Sequence, residues 1–174
     1  QKEVIKKLAQ KYAHHRDFLY IGRRYAYPVA MEGALKIKEI SYIHAEGFAG
    51  GEMKHGPLAL IDENFPTFAI ALTNDIDEKS ISNMQEIHAR KGPLLALVDD
   101  PDSAAAKLAD DIIVIPKAME QVQPILSAVV THLFAFVTVL SIFVAVMLYS
   151  PPFVTVIIYS PSFVPRELFF LCVR

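Results

Sequence analysis

Tyr27-Pro28-Val29-Ala30-Met31-Glu32-Gly33-Ala34-Leu35-Lys36-Ile37-Lys38-Glu39-Ile40, followed by Ser41-Tyr42-Ile43-His44-Ala45-Glu46 and a glycine-punctuated run to Pro57, is the stretch on which the reading of the fold turns. Its spacing predicts a helix over about residues 29–45. At 100° per residue, Glu32, Lys36, Glu39 and Glu46 fall on one narrow stripe. Ala30, Ala34, Ile37, Ser41 and Ala45 share the opposite stripe, and most are small enough for a close approach to a sheet. Pro28 suits the first turn, where a missing N–H costs nothing. Gly47, Gly50 and Gly51 then lead to Glu52-Met53-Lys54-His55-Gly56-Pro57.

The charged stripe has two readings. It can be a solvated ladder of i,i+3 and i,i+4 pairs, each worth a few tenths of a kcal/mol. It can also be the floor of a cleft, because the rest of this helix surface is apolar or small. His55 sits between glycine and proline in a short loop, the setting in which functional side chains concentrate.

Outward from this stretch, short apolar runs alternate with helical patterns. Residues 2–15 predict an amphipathic helix carrying Val4, Ile5, Leu8 and Tyr12 on one side, with the adjacent His14 and His15 at its end. Residues 18–21 predict a buried strand, and Gly22-Arg23-Arg24 the turn that starts the next helix. Arg24 reads as a phosphate contact or as a solvated arginine. Further strands are expected at 67–72, 94–98 and 112–115, and helices at 79–91 and 104–108. His88 is expected to be half-buried, and Asp99-Asp100-Pro101-Asp102 to form a capped turn rather than a cation site. This rhythm implies an α/β fold with a parallel sheet flanked by helices.

The 174 residues leave room for one domain with a full core, the net charge is −2, and the basic residues are scattered, so nucleic acid is not expected as a partner. A single cysteine, Cys172, excludes an internal disulfide framework and fits a reducing, cytoplasmic setting. No signal peptide is read at the N-terminus, and a start at Gln1 suggests a piece of a longer chain. No dinucleotide or Walker fingerprint is present, and neither a cofactor nor a metal is expected.

The run from Glu32 to Glu46, together with Gly51-Glu52-Met53-Lys54-His55-Gly56-Pro57-Leu58-Ala59-Leu60-Ile61, resembles the glutamine–fructose-6-phosphate aminotransferase family, and within it the second of two sugar isomerase (SIS) domains. The likeness covers about residues 17–129. It implies a SIS-type three-layer sandwich over residues 1–136, with a parallel sheet flanked by helices, and a divergent apolar helix and tail over 137–174. It also implies fructose 6-phosphate and glucosamine 6-phosphate as ligands. Glu39 becomes the base that moves a proton between C1 and C2, Lys36 its neighbour, and His55 the ring-opening group. In the family the histidine loop acts across a subunit interface, which implies a homodimer.

The tail departs from the family's pattern. Residues 121–165 contain no Asp, Glu, Lys or Arg, and residues 125–149 have only His132 and a few hydroxyls as polar groups. That passes the length criterion for a membrane span, so any membrane contact would run through 125–149. A core helix with an apolar extension, and sequence grafted out of frame after about residue 136, are the competing readings. Pro165-Arg166-Glu167-Leu168 faintly resembles the family's terminal segment, but Phe170 stands where its lysine would be. The expectation is therefore an isomerase domain inactive alone, with a non-catalytic sugar-phosphate-binding module as the alternative.

Overall fold

The computed structural model describes residues 1–73 and 78–149. In chain order these form α1 (Lys2–Tyr12), β1 (Asp17–Gly22), α2 (Ala26–Ser41), β2 (His44–Ala49), β3 (Thr67–Ile70), α3 (Glu78–Ala89), β4 (Leu94–Val98), α4 (Ala104–Leu108), β5 (Asp111–Val114) and α5 (Gln123–Tyr149), with 3-10 turns at Gly50–His55 and Pro57–Leu60. The runs at 153–159 and 165–168, and Cys172, lie outside the described residues. Residues 1–142 form one compact unit; of the second, 143–174, the described part is the end of α5.

The strands pair parallel in the order β2-β1-β3-β4-β5, so β1 and β3 are central and β2 is an edge. Strands buried on both faces read as continuous apolar runs, and Leu94–Val98 is buried at every position. Alternate residues feed two cores. Phe18, Tyr20, Phe68, Leu95 and Ile113 join Ala9 and Tyr12 of α1, Ala30, Ala34 and Ile37 of α2, and Val130, Phe134 and Ala135 of α5. Leu19, Ile21, Ala69, Ala96 and Val98 face the other way, toward Met84 and Ile87 of α3 and Ala105 and Ala106 of α4. This is the expected three-layer sandwich, with aromatic rings at the centre of its first core: Tyr20 stacks on Phe68 at 5.0 Å, and Phe134 meets Phe68 edge-on at 5.4 Å.

One boundary differs from expectation in a way that moves the site. The helix expected over 29–45 ends at Ser41, where Tyr42 takes a left-handed conformation (φ 61°) and its N–H donates to Lys38 O. His44–Ala49 is a strand, so Glu46 leaves the helical stripe for the sheet edge. The small residues there serve the close approach of α2. A Cβ on Gly47 would lie 2.6 Å from Met31 Cα, which only glycine permits.

α5 is long and apolar enough over Gln123–Ala145 to cross a membrane by length and composition. Up to Ile142 it is also a core helix. Ser127, Thr131, Phe134, Ala135 and Thr138 are buried, and Thr138 Oγ1 donates back to Phe134 O at 2.8 Å. Its start is pinned by Gln123, whose amide donates to the buried Asp99 carboxylate at 2.8 Å. Ile125, Val129, Leu133, Phe136 and Leu140 are exposed.

Candidate functional site

The α2 register expected from sequence holds from Glu32 to Glu39. With Ala30, Ala34 and Ile37 fully buried on the sheet, Glu32, Lys36 and Glu39 are turned outward. Lys36 Nζ donates to Glu39 Oε2 at 2.8 Å and lies 3.6 Å from Glu32 Oε1. Pairs this exposed add little to stability. What they do is fix geometry: the ammonium, placed between two carboxylates, holds the Glu39 side chain in one position. The same hydrogen bond to Glu39 holds the Lys36 ammonium above the ordinary lysine range.

Glu32 also has a partner that sequence reading missed. His132 Nε2, on α5, lies 3.1 Å from Glu32 Oε1. A hundred residues separate the two, and no local pattern in either helix signals the contact. On its other flank Glu32 borders a groove of about 570 Å³, lined by Met31, Leu35, Lys38, Glu46 and Phe48.

His55 is not brought to this pair within the chain. α2 runs antiparallel to the strands, so Glu39 stands near the edge of the sheet where β2 begins at His44. His55 follows the opposite edge, beyond Ala49. Six strand residues at ~3.3 Å each put roughly 20 Å of sheet between them. The His55 side chain is 73% exposed, with Glu52 Oε2 at 4.0 Å.

The other candidates have structural work. Arg24, at φ 50°, pairs with Glu120 at 2.9 Å, and Arg23 Nη2 donates to Asn83 Oδ1 at 2.9 Å. Asp100 accepts from Asp102 N at 3.0 Å, the capped turn expected there, while Asp99 accepts from the amide and hydroxyl of Thr73. His88 is exposed rather than half-buried, because Met84 and Ile87 take the inward positions of α3. His15 faces the Asn64 carbonyl at 2.9 Å, and burial lowers its pKa. Among the described residues no group of three His, Cys, Asp or Glu is placed to hold a metal.

Comparison with known proteins points one way. The SIS domain family model matches residues 11–142. The glutamine–fructose-6-phosphate aminotransferase (isomerizing) of Methanosarcina acetivorans is 46% identical over 141 residues, covering 81% of this chain and 23% of that protein. Thus the chain spans about a quarter of the length of the curated relatives it matches. The C-terminal domain of the glucosamine–fructose-6-phosphate aminotransferase from Francisella tularensis superposes with a TM-score of 0.73 at 33% identity, covering 80% of this chain and 40% of that one. The sugar isomerase domain of an RpiR transcription factor from Sphaerobacter thermophilus shares the fold, with a TM-score of 0.70 at 18% identity over 84% of each chain.

Proposed function

The chain belongs to the SIS, or sugar isomerase, family, and on that premise we propose that it supplies the second isomerase domain of an enzyme converting fructose 6-phosphate to glucosamine 6-phosphate. The observation that carries the reading is the 2.8 Å pair between Lys36 and Glu39 on the outward face of α2. Ketose–aldose isomerisation requires a base that takes a proton from C1 and returns it at C2. Glu39 is that base, held in place by its hydrogen bond from the Lys36 ammonium. His55 is the ring-opening group, since imidazole exchanges protons near neutrality. Because His55 lies across the sheet from Glu39, the two meet only when a second copy brings its own His55 loop to this α2, so the site is that of a homodimer.

The test is exchange of the C2 proton of glucosamine 6-phosphate with D2O, followed by proton NMR. It is run with the chain alone and with the remaining portion of an aminotransferase added. Exchange should require the added portion and should fall about 10²- to 10⁴-fold in Glu39→Gln. Exchange undiminished in that variant removes Glu39 from the mechanism. The separation of His55 from Glu39 within one chain favours a second reading, a non-catalytic sugar-phosphate-binding module. Saturable binding of glucosamine 6-phosphate without exchange in either mixture would select it.

A further inference from the structure

Helix physics alone predicts a different pairing on α2 from the one observed. A glutamate four residues N-terminal to a lysine is the favoured orientation of a helical ion pair. Lys36 should therefore prefer Glu32, one turn back, to Glu39, three residues on. The distances run the other way, 3.6 Å to Glu32 and 2.8 Å to Glu39. What distinguishes Glu32 is its second partner, His132 Nε2 at 3.1 Å. A carboxylate only accepts, so the hydrogen bond is His132 Nε2–H donating to Glu32 Oε1. His132 is also out of place in its own helix, being the only histidine in a run, residues 121–165, that has no Asp, Glu, Lys or Arg.

We infer that His132 is a positioning residue: by engaging Glu32 it draws that carboxylate toward α5 and leaves the Lys36 ammonium to Glu39. The inference rests on the reading of Glu39 as the base, and it names the residue outside α2 that sets the base's pairing. The ionisable groups concerned are Glu32, Lys36 and Glu39 of α2 and His132 of α5. Lys38 and Glu46 border the groove on the far side of Glu32. Without His132, Glu32 competes for Lys36, and Glu39 loses part of its hold on the ammonium. His132 thereby couples the site to the packing of α5, a helix that contributes nothing else ionisable to it.

The experiment is a pH titration of the Glu39 side-chain carboxyl by carbon-13 NMR in the full chain, assigned by its loss in Glu39→Gln. In His132→Ala the Glu39 midpoint should move up by about 0.3 pH unit, the scale of one exposed pair. His132→Gln keeps an N–H donor and should restore the original midpoint. In a Glu32→Gln background, His132→Ala should shift nothing, since His132 acts only through Glu32. His132 is 46% exposed in its side chain, so these variants should keep the fold, a point to be checked by circular dichroism. A Glu39 midpoint unmoved by His132→Ala, or a shift that survives in the Glu32→Gln background, overturns the inference. Because the titration reads no turnover, its outcome is independent of the exchange assay that tests Glu39 as the base.

Discussion

Helices α2 and α5 cover the same face of the sheet, and they bury similar stripes: Ala30, Ala34 and Ile37 from α2, and Val130, Phe134 and Ala135 from α5. Their outer sides differ in charge. α2 shows Glu32, Lys36 and Glu39 beside the exposed Met31, Leu35 and Ile40, whereas α5 shows Val129, Leu133, Phe136 and Leu140 with His132 as its charged-partner side chain. The core decides only that a helix lies there. The outer stripe is where they differ: on α2 it carries the charged pair on which the proposed proton chemistry rests, and on α5 it is a row of exposed apolar side chains. A polar bridge joins the two outer stripes, His132 to Glu32.

The comparison is most easily broken at its shared part. Phe134 is fully buried, edge-on to Phe18 at 6.1 Å and to Phe68 at 5.4 Å. Phe134→Ala should cost about 3–5 kcal/mol in urea unfolding; a loss under ~1 kcal/mol would mean that α5 is not part of the core. Gly47→Ala attacks the other helix, because its new Cβ would press on the Met31 backbone, which cannot rotate away. A cost of about 1–3 kcal/mol is expected, and a neutral result would show that α2 can lift from β2. On the outer face of α5, Leu133→Ser should change stability by no more than ~0.5 kcal/mol, since Leu133 is 44% exposed. Its effect should appear in light scattering as reduced self-association.

The smallest effect sharpens the contrast in charge. The Lys36 pKa is raised in the fold by its hydrogen bond to Glu39. Its contribution is therefore complete below the ordinary lysine value of 10.5 and is lost only as pH rises through the higher folded value. Nitrogen NMR should find the Lys36 ammonium titrating above the ordinary 10.5. His15 gives the opposite sign: burial lowers its pKa from 6.5, so its contribution is present above that value and declines as pH falls through the folded one.

The strands at 94–98 and the helix at 104–108 were legible to the residue, because a fully buried strand reads as an unbroken apolar run and Ser103 caps the helix through its hydroxyl. The inward face of α2 was legible for the complementary reason, a small-residue stripe set against a charged one. β2 was not. As an edge strand pressed by α2 it is built of His44-Ala45-Glu46-Gly47-Phe48-Ala49, with alanine and glycine where β-branched residues would announce a strand. Tyr42, rather than glycine or asparagine, takes the left-handed position that ends α2, so the stop signal was hidden as well. In α5 every face is apolar, and periodicity could not tell the stripe against Phe68 from the one against solvent. The Lys36–Glu39 pair followed from spacing along one helix. The His132–Glu32 contact could not, since it exists only once two distant helices share a sheet.

The place of Phe134 in the aromatic cluster has a consequence for the order of synthesis. All five strands, with Phe18, Tyr20 and Phe68, emerge from a ribosome before α5 emerges to cover them. At ~5–20 residues per second, the stretch from β5 to the end of the packed part of α5 takes a few seconds to appear. For that interval the nascent protein is a sheet roofed on one side and only partly on the other. Its aromatic centre is completed only when Phe134 arrives with α5.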